Sequence, residues 1–377
     1  MSNYSILLTV DVEDWFQVEN LRPSCPVSSW PSCELRVEHN THKLLDLFDE
    51  IGDQRSTVGG QPLAVKDKSS ESRQKGDVGN GDGQPTTDNG RDEKVRGTFF
   101  VLGWIAERVP NLVREIRARG HEVASHGYGH ELCRQCSTDD LREELGNSKK
   151  LLEDIIGDRV YGYRAPSFSI SDEILKLIEV TGYEYDSSYN SFAMHGRYGR
   201  ISLNGHERRG IAYEIFDGFY ELPISNLPLL AFVGSSILAE GPEASRRTHF
   251  RHLRHFFLPW GGGAYFRLIP GLVFRMGVRE ILRRQQGYLF YMHPWEVDPE
   301  QPRPEGTTAF SRFKHYTNLS RTEGKLRSLL KNFSECSFVS CHNYLQQYNP
   351  TSSTRKSSLT GRLQNKLKLD ILEKTLM

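Results

Sequence analysis

Two histidines four residues apart, His126 and His130, lie in the stretch SHGYGH. Imidazole is the commonest side-chain ligand for zinc-like cations, and this spacing lets two rings face one ion from a helical face or a tight loop. Gly127 and Gly129 favour the loop, because glycine weakens a helix interior and admits unusual dihedrals. The same spacing also describes a plain surface turn. Other side chains of chemical interest are Asp11, Glu13 and Asp14 in TVDVEDW, Arg164 in YRAPSF, Asp186 in YDSSY and His293 in MHPWE. Each alone has an ordinary reading: a cap, an ion pair, a satisfied core histidine. Brought together, carboxylates and imidazoles form an oxygen–nitrogen site suited to a divalent cation.

The elements around these residues say whether they meet. ILLTVDV (6–12), GTFFVLG (97–103), HEVAS (121–125), VYGYRAP (160–166), YEYDSSY (183–189), YELPIS (220–225), YLFYMHP (288–294) and SFVSC (337–341) read as strands. Between them lie helical patterns at 41–51, 110–120, 137–157 and 171–182, several opened by Ser or Pro and closed by Gly. Alternation of this kind predicts an α/β chain: a distorted (β/α) barrel of about seven parallel strands. No G-x-G-x-x-G follows the first strand, which disfavours a doubly wound dinucleotide fold. In a barrel the C-terminal strand ends share one face, and the polar residues above fall at such ends.

Composition narrows the function classes. The 377 residues are 37% hydrophobic and 25% charged, with Lys+Arg and Asp+Glu equal at 48. No global field points to nucleic acid, and no apolar run approaches the roughly 20 residues of a membrane span. The N-terminus shows no signal-peptide pattern, so a cytoplasmic chain is expected. The six cysteines are then expected to be free thiols; CRQC at 133–136 is the lone CxxC. A single domain over 1–349 is expected, interrupted at 53–96 by a Gly/Ser/Asp/Lys-rich insertion that is predicted to be disordered. The basic, partly amphipathic 350–377 tail is expected to be disordered or docked on its own surface, with peripheral membrane contact the less favoured reading.

As an ordered set, TVDVEDW, SHGYGH, YRAPSF, YDSSY and MHPWE resemble the polysaccharide deacetylases of the NodB-homology, carbohydrate esterase family 4 type. GTFFVLGWIAERVPNLVREI, GGGAYFRLIP and SRFKHYTNLSRTEGKL are similar to the branch associated with exosortase-type exopolysaccharide loci. The resemblance spans about 4–348 outside the insertion. It implies a distorted barrel and a metal-dependent N-deacetylase, with Zn2+ the divalent cation expected, acting on an N-acetylated oligo- or polysaccharide. It implies Asp11 as catalytic base, Arg164 as its orienting partner, His293 as general acid, and His126 and His130 as metal ligands. For the metal carboxylate, period-two alternation favours Glu13 while a turn beginning there favours Asp14; Asp14 is preferred. The family's Ser or Thr after the first histidine is Gly127 here.

Asp186 is expected to tune His293, with Glu296 as the other candidate. An oxyanion-binding N–H is sought in the loops of Tyr128 and Phe168. Trp15, Tyr128, Phe168, Tyr265 and Trp295 are expected to offer faces to a sugar ring. Two competing functions stand beside this one: a small-amide hydrolase on the same scaffold, and a carbohydrate-binding relic without catalysis.

Overall fold

A computed structural model of the chain describes residues 4–59, 94–192, 198–228 and 257–348. The first strands are β1 (Ser5–Val12), β2 (Gly97–Val101), β3 (Glu122–Ser125), β4 (Gly162–Tyr163) and β5 (Tyr185–Asp186). A meander follows, β6 (Glu207–Arg209), β7 (Ala212–Phe216) and β8 (Phe219–Glu221), then a small ladder of β9 (Leu227–Pro228) with β10 (Phe257–Leu258). The last two are β11 (Gly287–Met292) and β12 (Ser337–Phe338). Seven strands pair in parallel in the order β11-β1-β2-β3-β4-β5-β8, while β7 and β6 continue antiparallel beyond β8 and β12 pairs the start of β1.

This sheet curls until its ends meet. Ser225, just past β8, donates its N–H to the Leu289 carbonyl of β11 at 3.3 Å. Its Oγ accepts the Leu289 N–H at 2.8 Å. The Gly261 carbonyl accepts the Tyr291 N–H further along β11 at 2.7 Å, so the architecture is a distorted (β/α) barrel whose seam is closed by short pairings at Ser225 and Gly261 instead of a full ladder.

Alternation along β1 sorts the interior from the exterior. Ile6, Leu8 and Val10 pack with Leu44, Leu45 and Phe48 of the helix Val37–Gly59, in the layer between sheet and helices. Leu7 belongs to a second cluster with Phe100, Ala124, Tyr185 and Leu289, inside the barrel. The helix Cys341–Gln346 adds Cys341, Tyr344 and Leu345 to that interior cluster. Thr9 and Asp11 share the inward face of Leu7, so β1 carries polarity toward the upper end of the barrel.

The outer helices start and stop where local chemistry dictates. Ser137 caps Thr138–Ile156 by accepting the Asp140 N–H, and Gly157 ends that helix with φ 66°. Ser171 caps Asp172–Val180 through the Ile174 N–H. The predicted insertion begins too early at 53: the first helix runs on to Gly59, passing through Gly52, with Ile51 and Arg55 buried against the body of the protein. Residues 60–93 and the tail 350–377 lie outside the described residues.

Ser225→Ala leaves the Leu289 N–H without its acceptor in a buried seam. The unfolding free energy should fall by about 1–3 kcal/mol, measured by urea or thermal unfolding; an unchanged midpoint would mean that closure is held elsewhere.

Candidate active site

The C-terminal ends of β1, β3, β4 and β11 deliver one polar cluster. Asp11 lies within β1, and the tight turn Glu13 N–H to Asp11 O at 2.9 Å follows it. His126 follows β3, held by its N–H on the Val101 carbonyl at 3.0 Å. His130 has φ 59°, an uncommon conformation for a non-glycine residue. Gly127 also lies in the left-handed region at φ 73°, and a Cβ there would stand 2.7 Å from Glu144 Oε1. That carboxylate accepts the Tyr128 N–H at 2.8 Å, so Glu144 occupies the space beside a residue without a side chain.

Glu13, His126 and His130 offer three ligand atoms within 4.8 Å of one another, all three residues buried. Glu13 Oε2 lies 3.0 Å from His130 Nε2. Beyond that close approach to His130, Glu13 Oε2 has no hydrogen-bond partner among the described residues, and neither has the buried His130 Nδ1. His126 Nδ1 lies 2.8 Å from the Arg164 carbonyl, which makes it the protonated nitrogen and leaves Nε2 with a free lone pair. Burial holds the His126 pKa down at about 4, so the ring is neutral. Burial works against the Glu13 charge, yet His130 and His293 outweigh it and bring that carboxyl to about 2. Two imidazoles and one ionised carboxylate fit a divalent cation such as zinc.

Asp14, the carboxylate preferred from sequence, has another task. Its Oδ1 accepts Trp15 N–H at 2.8 Å, and its Oδ2 accepts Arg36 N–H at 2.7 Å and Val37 N–H at 2.9 Å. It caps the turn Trp15–Gln17 and receives the first N–H groups of the helix Val37–Gly59. The alternation of β1 carries on to Glu13, and the turn takes Asp14 away from the histidines. Burial raises the Asp14 carboxyl to about 6 against these three donors.

Arg164 is fully buried beneath the cluster. Its Nη1 donates to Asp11 Oδ1 and to Thr9 Oγ1, both at 2.7 Å; Nε and Nη2 donate to the Ser187 carbonyl and hydroxyl at 2.9 and 2.8 Å. Asp11 Oδ2 remains toward the cleft, 4.0 Å from His293 Nε2. His293 Nδ1 is 2.9 Å from Glu296 Oε1, and Glu296 Oε2 accepts Arg267 Nε–H at 2.7 Å. Burial disfavours the His293 cation, but Glu13 and Glu296 prevail and raise its pKa to about 9.

Glu296, not Asp186, is thus the carboxylate on His293. Asp186 faces Glu221 across β5 and β8 and accepts the Ser188 N–H and Oγ–H at 2.9 and 2.7 Å. Burial raises both carboxyls, and the Asp186 charge pushes Glu221 higher still, so the two are suited to share a proton inside the wall. The x-P-x-E of HPWE signals a local capping arrangement, which the backbone of His293 makes with Glu296 at 3.1 Å. Arg267 has no comparable local signal, since its partner lies 29 residues away.

Over the cluster opens a cleft of about 890 Å³, including its mouth, with Asp11, Glu13, His126, His130 and His293 along its wall. Phe168, Tyr198, Tyr265, Tyr291 and Trp295 contribute aromatic surface. Trp295 stacks between His293 and His315, at centroid distances of 5.1 and 4.1 Å. Two expected sugar-facing residues are elsewhere. Trp15 is buried against Phe16, its indole N–H on the Glu34 carbonyl. Tyr128 turns its hydroxyl outward to Glu107 at 2.6 Å. The N–H groups of Tyr128 and Phe168 are also engaged, with Glu144 and the Ala165 carbonyl, and so are not free for an oxyanion.

Residues 89–185 match the polysaccharide deacetylase family, and residues 238–346 match a domain of unknown function, DUF3473. The second region contains Arg267, His293, Trp295 and Glu296. A peptidoglycan deacetylase-like protein of Gibberella zeae is 36% identical over 26% of this chain and 28% of its own length. A peptidoglycan-N-acetylglucosamine deacetylase of Bacillus cereus is 29% identical over 25% and 44%. A chitooligosaccharide deacetylase of Sinorhizobium fredii is 32% identical over 22% and 40%. The chain thus spans less than half the length of each of these relatives. The structure of a peptidoglycan deacetylase from Bacillus subtilis aligns over 94% of this chain and 97% of that one, at 10% identity and a TM-score of 0.39.

The two neighbouring acids should separate in experiment. Glu13→Gln is expected to lower the metal content of the purified protein at least tenfold. Asp14→Asn should keep the metal and lower the unfolding midpoint, with a loss of about 1–2 kcal/mol. Metal analysis beside thermal unfolding distinguishes them, and the reverse pattern would restore Asp14 as the ligand.

Proposed function

We propose that this chain, which carries a polysaccharide deacetylase domain, is a metal-dependent hydrolase that removes acetyl groups from N-acetylated sugars. The observation that carries the reading is the placement of Glu13, His126 and His130 beside Asp11 and His293 on the wall of one cleft. Three protein donors of this type are what catalytic zinc sites use, and zinc is the cation proposed. When bound, it polarises the amide carbonyl and brings the pKa of water to about 7.

The chain's own residues divide the remaining work. Arg164 fixes Asp11 Oδ1, which leaves Oδ2 to take a proton from the attacking water. His293 enters the cleft from the end of β11 as an imidazolium, its Nε2 3.3 Å from Glu13 Oε1 and 4.0 Å from Asp11 Oδ2, and its Nε2–H is the proton proposed to pass to the departing sugar amine. Glu296 and Arg267 hold the opposite edge of that ring. Phe168, Tyr265 and Trp295 suit the apolar faces of pyranose rings.

The relatives named as deacetylases of peptidoglycan and chitooligosaccharide support an N-acetylhexosamine as the unit attacked. Similarity of the sequence motifs to the exopolysaccharide-associated branch supports an exopolysaccharide or its precursor as the carrier of that unit. On this reading 1–349 works as one catalytic barrel, with the DUF3473 region contributing the acid side of the site.

Purified protein should release acetate from chitooligosaccharides, lose this activity on chelation and regain it with added Zn2+. Asp11→Asn should lower turnover by roughly 10²–10⁴-fold while the metal content stays at the wild-type level. Normal turnover in Asp11→Asn would remove Asp11 from the role of base. Failure to release acetate from any N-acetylated sugar, with metal bound, would end the deacetylase reading.

A further inference from the structure

Large apolar side chains at the surface are concentrated on three helices, two of which line the cleft. Among the described residues nine such side chains are exposed, and five of them, Leu268, Leu272, Met276, Phe310 and Phe313, fall between 268 and 313. Phe310 is 74% exposed, Leu272 62% and Phe313 59%, values at which a phenyl or isobutyl group stands out into solvent. An isolated exposed leucine needs no explanation, whereas a cluster of this kind does.

Two of the three helices that carry these residues line the cleft, and the third follows the first of them directly in the chain. Tyr265 of the helix Gly263–Leu268 and Lys314 of the helix Ala309–Tyr316 both line the cleft. Buried Arg267 ties the two helices together: its Nη1 donates to the carbonyls of His315 and Thr317 at 2.8 Å, and its Nη2 to that of Lys314 at 3.1 Å. The helix Gly271–Gln285, with Leu272 and Met276, starts three residues after the first one ends. Lys325 fastens that junction by donating to the Phe266 and Ile269 carbonyls.

The charge on the same elements is one-sided. Besides Arg267, the three helices carry Arg275, Arg279, Arg283, Arg284, Arg312 and Lys314, against the single acid Glu280. The whole chain, in contrast, balances 48 basic against 48 acidic residues. Protruding phenyl and aliphatic groups among arginines are the composition of a surface that lies in a lipid interface: the apolar groups enter the acyl boundary and the cations meet anionic headgroups. No helix among the described residues is long and apolar enough to cross a membrane, so the contact is one of surface docking.

We infer that the face made by these three helices docks on an anionic lipid bilayer and turns the cleft toward glycan held at that surface. The docking stands on the face alone; only its consequence, access to a lipid-carried N-acetylated glycan, rests on the proposed deacetylase activity.

The test uses the full chain and vesicles of phosphatidylglycerol mixed with phosphatidylcholine, beside vesicles of phosphatidylcholine alone. The protein should sediment with the anionic vesicles, and less so as salt is raised. The triple variant Leu272→Ser, Phe310→Ser, Phe313→Ser should lose at least tenfold in vesicle affinity while it hydrolyses soluble chitooligosaccharides as before. Unchanged vesicle affinity would overturn the inference and would place any lipid binding elsewhere, the basic tail included. In a second measurement, the added tryptophan of Phe313→Trp should be quenched by brominated acyl chains, and that of Val180→Trp should not. Quenching of both or of neither would overturn it as well. A self-associated species in plain buffer that the triple variant abolishes would assign the face to a second copy instead. Vesicle binding without acetate release from any sugar would keep the docking and discard the activity, so the two failures are distinct.

Discussion

A guanidinium enclosed in a curled sheet is the constraint on which this molecule depends. Arg164 has no exposed surface, and such a charge is tolerable only when it is paired and its donors are used. Four of its hydrogen bonds go to Thr9, Asp11 and Ser187, so it links β1 to the chain following β5 through the barrel interior. Phe100 packs its ring 4.1 Å from the guanidinium carbon, which adds a favourable face contact on the apolar side. The same residue also acts through its backbone, because its carbonyl fixes the tautomer of His126. One buried residue therefore orients a carboxylate and an imidazole of the site, and loss of its side chain would leave Asp11 Oδ1 without its donor in the barrel interior.

Around that anchor the site is divided between two stretches of chain. The first supplies Asp11, Glu13, His126, His130 and Arg164, all drawn from strand ends on one side of the barrel. The later stretch supplies His293 with Glu296 and Arg267 behind it. Its effect is electrostatic separation: carboxylates on both edges of the His293 ring favour the cation, whereas burial keeps His126 neutral. Two imidazoles in one cleft thus carry different protonation, one suited to give a proton and the other to present a lone pair. The aromatic stack of His293, Trp295 and His315 holds the His293 ring in place.

Much of the barrel was legible because its signals are local. The apolar runs of β1, β2 and β11 and the capped helices 138–156 and 172–180 obey periodicity and capping rules that any short window contains. Asp186 and Glu296 were both within reach of His293 on paper. Register placed Asp186 opposite Glu221, and a turn of three residues placed Glu296 on the ring. Trp15 and Tyr128 carry faces that suit a sugar, but whether a ring looks into a cleft depends on what packs behind it. Glu34, Glu107 and Glu144 decided that, none of them marked by a sequence pattern.

The amino-acid order by itself determined which residue types stand at strand ends, since alternation and turn chemistry act over a few positions. It also determined that β1 directs Thr9 and Asp11 to the face opposite Ile6, Leu8 and Val10. Tertiary structure alone decided that Glu13 and not Asp14 meets the histidines. The reason is that the choice turns on a helix start 23 residues onward, whose Val37 N–H draws Asp14 away, and on ring atoms more than a hundred residues distant. It decided likewise that Ser225 and Gly261 meet β11, because these partners are distant in sequence and only the register and curl of the whole sheet bring them together.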